Sequence, residues 1–457
     1  MSTHPKLWLV NATQDISALP IVCEHAKEAE QMIHVLYRPR DREAVVRMVP
    51  PGEKAPHLVE LAEGAPIPSG IETEAEVFFL PCSERIDWSE LRQRPSLAWS
   101  HCLQPLFADP LRVHSRFYLT GPPGWWGWRA GGELARRILR EPSAWNGDAV
   151  GLIETLQHWP DPPRWQSMPI HTAGIENYAA SSSSALTMSS TVLAVISFYR
   201  CEEWLHASLT SMAQQTRPPE AIVVVDDCSP ALPLDLVKPF SNVTLLSTTR
   251  GVGPEKILNN IIKATDYDAY MVQDADDWST HDRLELSLRG AERTGAEMVG
   301  CHELRVDISK KMPTLCIYPP DVNRAASLDV GHYLLHGTAL ISRELAMRVG
   351  GFDERLKLGA DTEFVNRAAH AGRIVNLAGI FGFRRVRPAS LTTHNQTGYR
   401  SSARQIEIHF IALRGRRNLE LARAGRPANF FVEQKEPVGF IHHHGPSLRL
   451  SSRGLSV

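Results

Sequence analysis

The clearest pattern of hydrophobic and polar positions in this chain begins near residue 191. A continuous apolar, β-branched run over Thr191–Phe198 predicts a strand that is covered on both faces. Similar short runs follow at 221–225, 243–246 and 269–272. Between these runs, apolar residues at helical spacing predict helices at 203–212 and 255–264. Short buried strands that alternate with helices of about ten residues predict an α/β fold on a mostly parallel sheet.

The pattern in residues 1–175 is weaker but of the same kind. Buried strands are predicted at 6–10 and 76–80 and an amphipathic helix at 131–139, so we expect a separate N-terminal α/β domain of uncertain fold. Nine of the eleven tryptophans lie in this half, and the serine-rich stretch after it has the composition of a linker. The expected organisation is an N-terminal domain of unknown function at 1–175, a linker at 176–190, a main domain at 191–399 and a basic helical C-terminal tail at 400–457.

Composition narrows the class of protein. With 43% hydrophobic residues, 22% charged residues and a formal net charge of −2, the chain is typical of a globular protein, and we expect no nucleic-acid partner. Its seven cysteines are scattered and include no Cys-x-x-Cys pair, which argues against a disulfide framework and a zinc site. The start of the sequence lacks a secretory signal pattern, and no apolar run approaches the roughly 20 residues of a membrane span. A cytoplasmic location is therefore expected.

Aspartates follow two of the predicted strands. The members are Asp226 and Asp227 after one strand and Asp274, Asp276 and Asp277 after another. In parallel α/β sheets ligands bind beyond the carboxyl ends of the strands, and carboxylate oxygens suit a hard divalent cation such as Mg²⁺ or Mn²⁺. This arrangement predicts that a diphosphate is bound through a divalent cation. The alternative is an Asp-rich turn with Asp277 as a helix N-cap, because the residues after it are typical of a turn that leads into a helix.

Five short motifs occur in the order and spacing found in the family 2 glycosyltransferases with the GT-A fold. They are Ile196-Ser-Phe-Tyr-Arg200, Val223-Val-Val-Asp-Asp-Cys-Ser229, Gln273-Asp-Ala-Asp-Asp277, Gly350-Gly-Phe-Asp-Glu354 and Gly359-Ala-Asp-Thr-Glu-Phe364. The chain resembles this family over residues 191–394. The resemblance implies a GT-A-like, Rossmann-type sheet and an inverting transferase that uses a nucleotide-diphosphate sugar, commonly a UDP-sugar, with Mg²⁺ or Mn²⁺. The acceptor stays open among a glycan, a lipid-linked molecule and a protein.

The resemblance also implies roles for the residues that bind the donor. Ser197, Tyr199 and Asp226 match the nucleoside-binding positions, although packing is an alternative for Tyr199. Asp274 matches the position near the ribose. His336 and Gly337 lie in a segment that resembles the wall of the donor-sugar pocket.

Metal-binding and catalytic roles are implied in the same way. Asp276 matches the metal ligand, with Asp274 beside it, and His394 is a further candidate whose alternative is an ordinary loop histidine. Asp361 matches the general base that removes the proton from an acceptor hydroxyl. A helix N-cap is the alternative for Asp361.

The sequence departs from the family pattern at several positions. Arg200 replaces an asparagine, Ala360 replaces the glutamate before the base, Leu258 replaces an arginine, and Arg387 stands nearest to the place of a possible metal-binding histidine. These departures leave two other functions open, a non-catalytic sugar-nucleotide sensor or scaffold and a nucleotidyltransferase. A nucleotidyltransferase requires a glycine-rich basic loop after the first strand, which this sequence lacks.

Basic residues outnumber acidic ones in the segment from Arg400 onward. This excess predicts peripheral contact with anionic lipid at the inner face of the membrane, or with an acidic acceptor carrier. The alternative is a solvated helix, predicted at 404–424, that closes the main domain.

Overall fold

The structure is a computed structural model that describes most of the chain. The described residues are 6–12, 16–20, 22, 24, 33–37, 39–49, 57–60, 76–81, 102–107, 119–121, 126–144, 147–169, 186–388 and 390–451. Residues 176–185 of the predicted linker lie outside them. Contacts divide the chain into two compact units, the first comprising Met1–Leu111, Pro122–Met168 and Val306–Thr314 and the second Arg112–Gly121, Pro169–Arg305 and Leu315–Val457. Each unit is therefore assembled from segments that are separate in the sequence.

Nineteen strands are found among the described residues. They are β1 (Lys6–Asn11), β2 (Ile33–Tyr37), β3 (His57–Glu60), β4 (Glu76–Pro81), β5 (Cys102–Phe107), β6 (Leu119–Gly121), β7 (Trp126–Gly131), β8 (Arg164–Trp165), β9 (Met168–Pro169), β10 (Val192–Phe198), β11 (Ala221–Asp226), β12 (Val243–Thr248), β13 (Ala269–Asp274), β14 (Trp278–Ser279), β15 (Met298–Asp307), β16 (Thr314–Ile317), β17 (Leu340–Ser342), β18 (Ile374–Val386) and β19 (Phe440–His444).

The described residues also form eleven α-helices. They are α1 (Arg42–Met48), α2 (Gly132–Ile138), α3 (Ala149–Gln157), α4 (Glu202–Ala213), α5 (Leu234–Val237), α6 (Pro254–Ala264), α7 (Arg283–Thr294), α8 (Val322–Leu328), α9 (Arg343–Arg348), α10 (Ala360–Ala368) and α11 (Ser402–Arg423). None of them combines the length and the apolar character needed to cross a bilayer.

The first unit is built on a seven-stranded sheet with the order β3-β2-β1-β4-β7-β5-β8. Strands β1 to β4 pair in parallel, and β7 runs antiparallel to both of its neighbours. Stacking of Trp8 on Phe78, with ring centroids 4.1 Å apart, joins β1 to β4 in the core. The predicted strands at 6–10 and 76–80 and the helix at 131–139 correspond to β1, β4 and α2. The expectation of a separate N-terminal α/β region is confirmed.

The second unit contains a larger sheet with the order β14-β18-β15-β17-β13-β10-β11-β12-β19. Its centre is the parallel set β13-β10-β11-β12, the four strands that the sequence predicts. Alternate side chains of β10 enter two different cores. Leu193 and Val195 pack with α6, whereas Val192, Ala194 and Ile196 pack with α4 and α7. Burial on both faces explains why these strands are continuously apolar, and the predicted α/β fold class is confirmed.

Antiparallel strands extend the parallel centre on both sides. Strand β17 pairs with β13 on one side, and β19 pairs with β12 on the other. The helix predicted at 404–424 is observed as α11. The segment predicted as a tail, 400–457, thus contributes both a long helix and an edge strand of the main sheet, so this sheet extends past the boundary expected at residue 399.

The Gly350-Gly-Phe-Asp-Glu354 motif joins several helices. Gly350 and Gly351 have φ values of +80° and +75°, and a Cβ on Gly351 would lie 2.4 Å from Asn259 Oδ1, so glycine is required there. Phe352 stacks on Phe364 of α10, with ring centroids 4.3 Å apart. The motif is therefore a structural junction that positions α10.

Asn259 of α6 completes this junction. Its Nδ2 donates to Phe352 O and to Glu354 Oε1, both at 3.0 Å, and its Oδ1 accepts from Phe352 N at 2.8 Å. Asn259 is 2% exposed, so each of these groups would be left unpaired away from water if the amide were lost.

Replacing Asn259 by alanine should therefore destabilise the second unit. We expect Asn259→Ala to lower the free energy of unfolding by about 3 kcal/mol, because three buried hydrogen bonds are lost. Urea-induced unfolding measures the change. The exposed Asn395 provides the control, and Asn395→Ala should change stability by less than about 0.5 kcal/mol. Equal stability of the two variants would show that Asn259 does not hold the junction.

Candidate active site

The carboxyl ends of the central strands bring the predicted donor-binding residues together. In the sheet register Ser197 lies between Val225 and Asp274, and Phe198 pairs with Asp226. Parallel strands in register end at one edge of the sheet, where α/β proteins bind ligands. Ser197, Asp226 and Asp274 therefore share this edge.

Tyr199 and Arg200 follow β10 at the same edge. The Tyr199 side chain is 48% exposed, and the Arg200 guanidinium lies 5.1 Å from its ring centroid. Arg200 has a φ of +52°, a left-handed conformation that favours the asparagine typical of this position over arginine. The Tyr199 ring is thus half-exposed and already carries an arginine over one face, and its nucleoside-binding role stays a prediction.

The two aspartates after β11 have different surroundings. Asp226 is buried, both of its carboxylate oxygens accept from Ser229 N at 3.1–3.2 Å, and burial raises its pKa. Asp227 accepts instead from Val252 N at 2.7 Å and from Gly253 N at 2.8 Å. Asp227 therefore anchors the loop before α6, whereas Asp226 is bound to the turn that follows its own strand.

Asp274 lies against the short 3₁₀ turn His336–Thr338. A Cβ on Gly337 would lie 2.7 Å from Asp274 Oδ2, so only glycine leaves room for the carboxylate. His336 contacts Phe352 edge to face, and its Nε2 is buried without a hydrogen-bond partner among the described residues. Both residues predicted to line the sugar pocket thus adjoin the acidic edge of the sheet.

A buried arginine, Arg283, fixes the backbone on both sides of the aspartate loop, which comprises residues 274–277. Arg283 of α7 donates to Val272 O at 2.7 Å, to Gln273 Oε1 at 2.9 Å and to Ser279 Oγ at 2.8 Å. These bonds tie the end of β13 to β14, and the residues between them form a tight turn in which Asp277 N donates to Asp274 O at 3.2 Å. The carboxylates are held close together as a result.

The interpretation of Asp277 as a helix N-cap is wrong. Helix α7 begins six residues later, at Arg283, with Asp282 at its N-cap position, and β14 intervenes. Asp277 is buried, and its Oδ1 accepts from Arg385 N of β18 at 2.8 Å. Burial and the nearby carboxylates of Asp276 and Asp274 raise its pKa well above the usual range. Asp277 thus joins the loop to β18 rather than to a helix.

The N-cap interpretation of Asp361 is also wrong. The N-cap of α10 is Gly359, with a φ of +80°, and Asp361 is the second residue of the helix. Asp361 is half-buried. Burial lowers the pKa of His332 and of His336, and the negative charge of Asp361 opposes this lowering. His332 Nδ1 lies 2.9 Å from Thr362 Oγ1 beside it. Two histidines therefore accompany the predicted base.

Glu255 is a site residue that the sequence prediction missed. It is the second residue of α6, and burial together with the charges of Asp361 and Asp274 raises its pKa to about 7. The charges of Asp274 on β13 and Asp361 on α10 thus both raise the pKa of this carboxylate. A signal was present in the sequence, because Glu255 opens the helix that follows β12 and such helix starts lie at the ligand-binding edge of the sheet.

Asp274 and Asp276 of the acidic loop are the candidate ligands of a divalent cation. Burial and the charge of Asp276 raise the pKa of Asp274 to about 6, and a cation would relieve this repulsion. Asp276 Oδ2 pairs with Arg387 Nε at 2.7 Å, while Oδ1 has no partner in the described part of the chain. Within that part no group of three or more His, Cys, Asp or Glu side chains is placed to hold a metal ion. Mg²⁺ is commonly held by one or two carboxylates with phosphate oxygens, so the donor set is sufficient.

The structure does not bring His394 into this group. Its side chain is exposed, and its Nδ1 accepts from Gln396 N at 3.2 Å. Arg387 occupies the place beside Asp276 instead. A metal-binding role for His394 stays a prediction.

Residues 193–349 match the model of the family described as Glycosyl transferase family 2. The matched segment includes Ser197, Asp226, the aspartate loop and Gly337, and it ends before Asp361. The match confirms the resemblance predicted from the sequence for this part of the chain.

Several solved structures are distantly similar. S. aureus TarS is 20% identical, with 43% of this chain and 37% of that chain covered and a TM-score of 0.36. TarS 1–349 in complex with UDP is 21% identical, with 43% and 61% covered and a TM-score of 0.37. Mannosyltransferase PcManGT from Pyrobaculum calidifontis, in complex with GDP-Man and Mn²⁺, is 19% identical, with 45% and 61% covered and a TM-score of 0.36. The chain spans less than two thirds of each, and similarities this distant assign no substrate. No curated protein matches the chain.

The raised pKa of Glu255 predicts a pH-dependent effect on stability. Its ordinary value is near 4.5 and its value in the fold is about 7, so unfolding releases its proton between these pH values and stability falls as the pH rises. Glu255→Gln removes this penalty. We expect the thermal unfolding temperature of Glu255→Gln to be higher than that of wild type. The difference should grow from pH 4.5 to pH 7 and stay constant above pH 7. A difference that is independent of pH would contradict the prediction.

Proposed function

We propose that the protein is an inverting glycosyltransferase, because residues 193–349 match the model of the family described as Glycosyl transferase family 2. It moves a sugar from a nucleotide-diphosphate sugar, a UDP-sugar in this proposal, to an acceptor hydroxyl. The observation that carries the proposal is the register of β10, β11 and β13, which places Ser197, Asp226 and Asp274 at one edge of the sheet. We assign this edge to the donor and Asp361, at the start of α10, to the acceptor hydroxyl.

Donor binding is assigned to the ends of the central strands. Tyr199 stacks on the base, Asp226 accepts a hydrogen bond from it, Ser197 lies beside them, and Asp274 contacts the ribose. A divalent cation, Mn²⁺ or Mg²⁺, would be held by Asp276 with Asp274 and would neutralise the charge that develops on the leaving diphosphate. His336 and Gly337 line the sugar pocket.

Asp361 is the proposed general base. Its carboxylate takes the proton of the acceptor hydroxyl while the acceptor oxygen forms its bond to the anomeric carbon and the bond from that carbon to the phosphate oxygen breaks. A single displacement of this kind inverts the anomeric configuration. Placement at the start of a helix supports the role, because the backbone there is rigid and holds the carboxylate in one orientation.

Asp361→Asn should separate binding from chemistry. The amide keeps the size of the side chain but cannot accept the proton, so sugar transfer should fall by about 100-fold or more, while UDP affinity in Mn²⁺ stays within about twofold. Release of UDP from a panel of nucleotide sugars and calorimetric titration with UDP measure the two quantities.

Asp235→Asn is the matched control for this experiment. The Asp235 side chain is 95% exposed, so its loss should change neither quantity. Full transfer activity in Asp361→Asn would remove Asp361 from the mechanism. Failure of the wild type to bind UDP in a metal-dependent way would overturn the proposed function itself.

We further propose that the protein acts at the inner, cytoplasmic face of a membrane on a lipid-linked acceptor. Helix α11 packs on α10 through Ile411, which lies 3.0 Å from a Cβ built on Gly359. On its opposite face the side chains of Ile406, Phe410 and Leu413 are 71%, 40% and 54% exposed. This spacing places the three on one stripe. The exposed His409, Arg416 and Arg417 flank it, a combination that suits an anionic lipid surface.

Removing the apolar stripe should weaken membrane association. We expect the triple variant Ile406→Ser, Phe410→Ser and Leu413→Ser to bind vesicles that contain phosphatidylglycerol at least about 10-fold more weakly, because three exposed apolar side chains that would insert into the lipid are lost. Vesicle sedimentation measures the change. Leu232→Ser, at another exposed apolar residue, is the control and should bind as wild type does. Undiminished binding by the triple variant would exclude α11 as the contact.

A further inference from the structure

Arg387 is paired with the aspartate that we assign to the cation. Its Nε donates to Asp276 Oδ2 at 2.7 Å, and only 17% and 19% of the two side chains are exposed. Arg387 directly follows β18, which also supplies Arg385 as the backbone donor to Asp277. The ion pair is therefore part of the contact between the aspartate loop and β18.

Two residues hold the Arg387 guanidinium in this position. They are Trp204 of α4 and Cys201, which directly precedes that helix. Arg387 Nη2 lies 3.3 Å from Cys201 Sγ, and the central carbon of the guanidinium lies 4.6 Å from the ring centroid of Trp204. A guanidinium that stacks on an indole ring and pairs with a carboxylate loses little further entropy when it binds. The Asp276–Arg387 pair is thus held by contacts within the chain itself.

A divalent cation and Arg387 would compete for the carboxylate of Asp276. Both need the negative charge of this carboxylate, and the two positive charges repel each other when they share it. Arginine also pairs with phosphate oxygens as readily as with a carboxylate, often through two hydrogen bonds. Transfer of the guanidinium from Asp276 to a donor phosphate would keep positive and negative charges paired in the free and the bound state.

We infer that Arg387 is an exchange partner of the cation, pairing with Asp276 in the free protein and with the donor diphosphate once the cation is bound. This inference rests on the proposed function. Arg387 is in this sense a residue that binds the donor and delays the binding of metal until the donor arrives. Free protein should consequently hold the cation weakly, and donor and cation should bind together.

Arg387→Gln tests the exchange through two affinities that should change in opposite directions. Mn²⁺ alone should bind about 5-fold more tightly than to wild type, because no ion pair has to be broken. UDP in saturating Mn²⁺ should bind about 10-fold more weakly, because the phosphate loses a charge-assisted partner. Electron paramagnetic resonance of free Mn²⁺ and calorimetric titration with UDP measure the two affinities. A purely structural role would weaken both.

Two further variants complete the experiment. Arg348→Gln breaks another 2.7 Å ion pair, to Glu297, and should leave both affinities unchanged. Arg387→Lys keeps the charge but loses the planar fork, so Mn²⁺ affinity should stay within about twofold of wild type while UDP binding weakens. This variant decides the question if Arg387→Gln does not fold, and wild-type UDP affinity in it would overturn the exchange.

The failures of the two proposals are distinguishable. If wild type shows no Mn²⁺-dependent binding of UDP, the proposed function is overturned and the exchange with it. If wild type binds UDP with Mn²⁺ but Arg387→Gln leaves Mn²⁺ affinity unchanged or lowers it, the exchange alone is overturned.

Discussion

The acidic site depends on one buried cation, Arg283. Its side chain is fully buried, and it donates to Val272, Gln273 and Ser279 on the two strands that flank the aspartate loop. Burial lowers its pKa to about 10, and the charges of Asp274 and Asp277 oppose this effect. Carboxylates on a free loop would separate to reduce their repulsion. Arg283 opposes this separation by fixing the backbone on both sides of the loop, so a buried residue sets the spacing of the carboxylates to which we assign the cation.

Local patterns made the centre of the fold predictable. The parallel strands, α6 and α11 were all recognisable, because burial on two faces or one stripe leaves a periodic trace in a short stretch of sequence. The antiparallel strands β17, β18 and β19 were not recognised, because their place depends on pairing with segments far away in the chain. The same holds for the candidate site, where residues within short motifs were predictable and contacts between distant segments were not. Asp274 and Asp361 stood in motifs, whereas the pairing of Asp276 with Arg387 joins residues 111 positions apart. Glu255 was missed because a glutamate at a helix start resembles a surface residue.

The motifs that resemble the glycosyltransferase family have two kinds of role. Some hold the fold together, and others supply residues of the candidate site. Gly350-Gly-Phe-Asp-Glu354 holds α6 and α10 together through Asn259 and Phe352, and Asp227 anchors the loop before α6. Gly337 has both roles, since the absence of its side chain makes room for a carboxylate. Of the departures from the family, Arg200 and Arg387 contact residues of the candidate site, whereas Leu258 and Ala360 are buried in apolar clusters. The scaffold is thus kept by contacts between motifs, and this chain differs both in its apolar core and in the charges beside the site.

The pairing of β19 with β12 has a consequence for the folding of the protein during its synthesis on the ribosome. Leu245 pairs with His444, and Gly445 comes so close to Val243 that no side chain would fit between them. Until residues 440–444 emerge, β12 has an open edge with unpaired backbone groups, which other chains are able to join. Strand β19, which lies far along the chain from β12, covers this edge. The sheet is therefore completed well after β12 has been synthesised, and a newly made chain needs protection from aggregation until then.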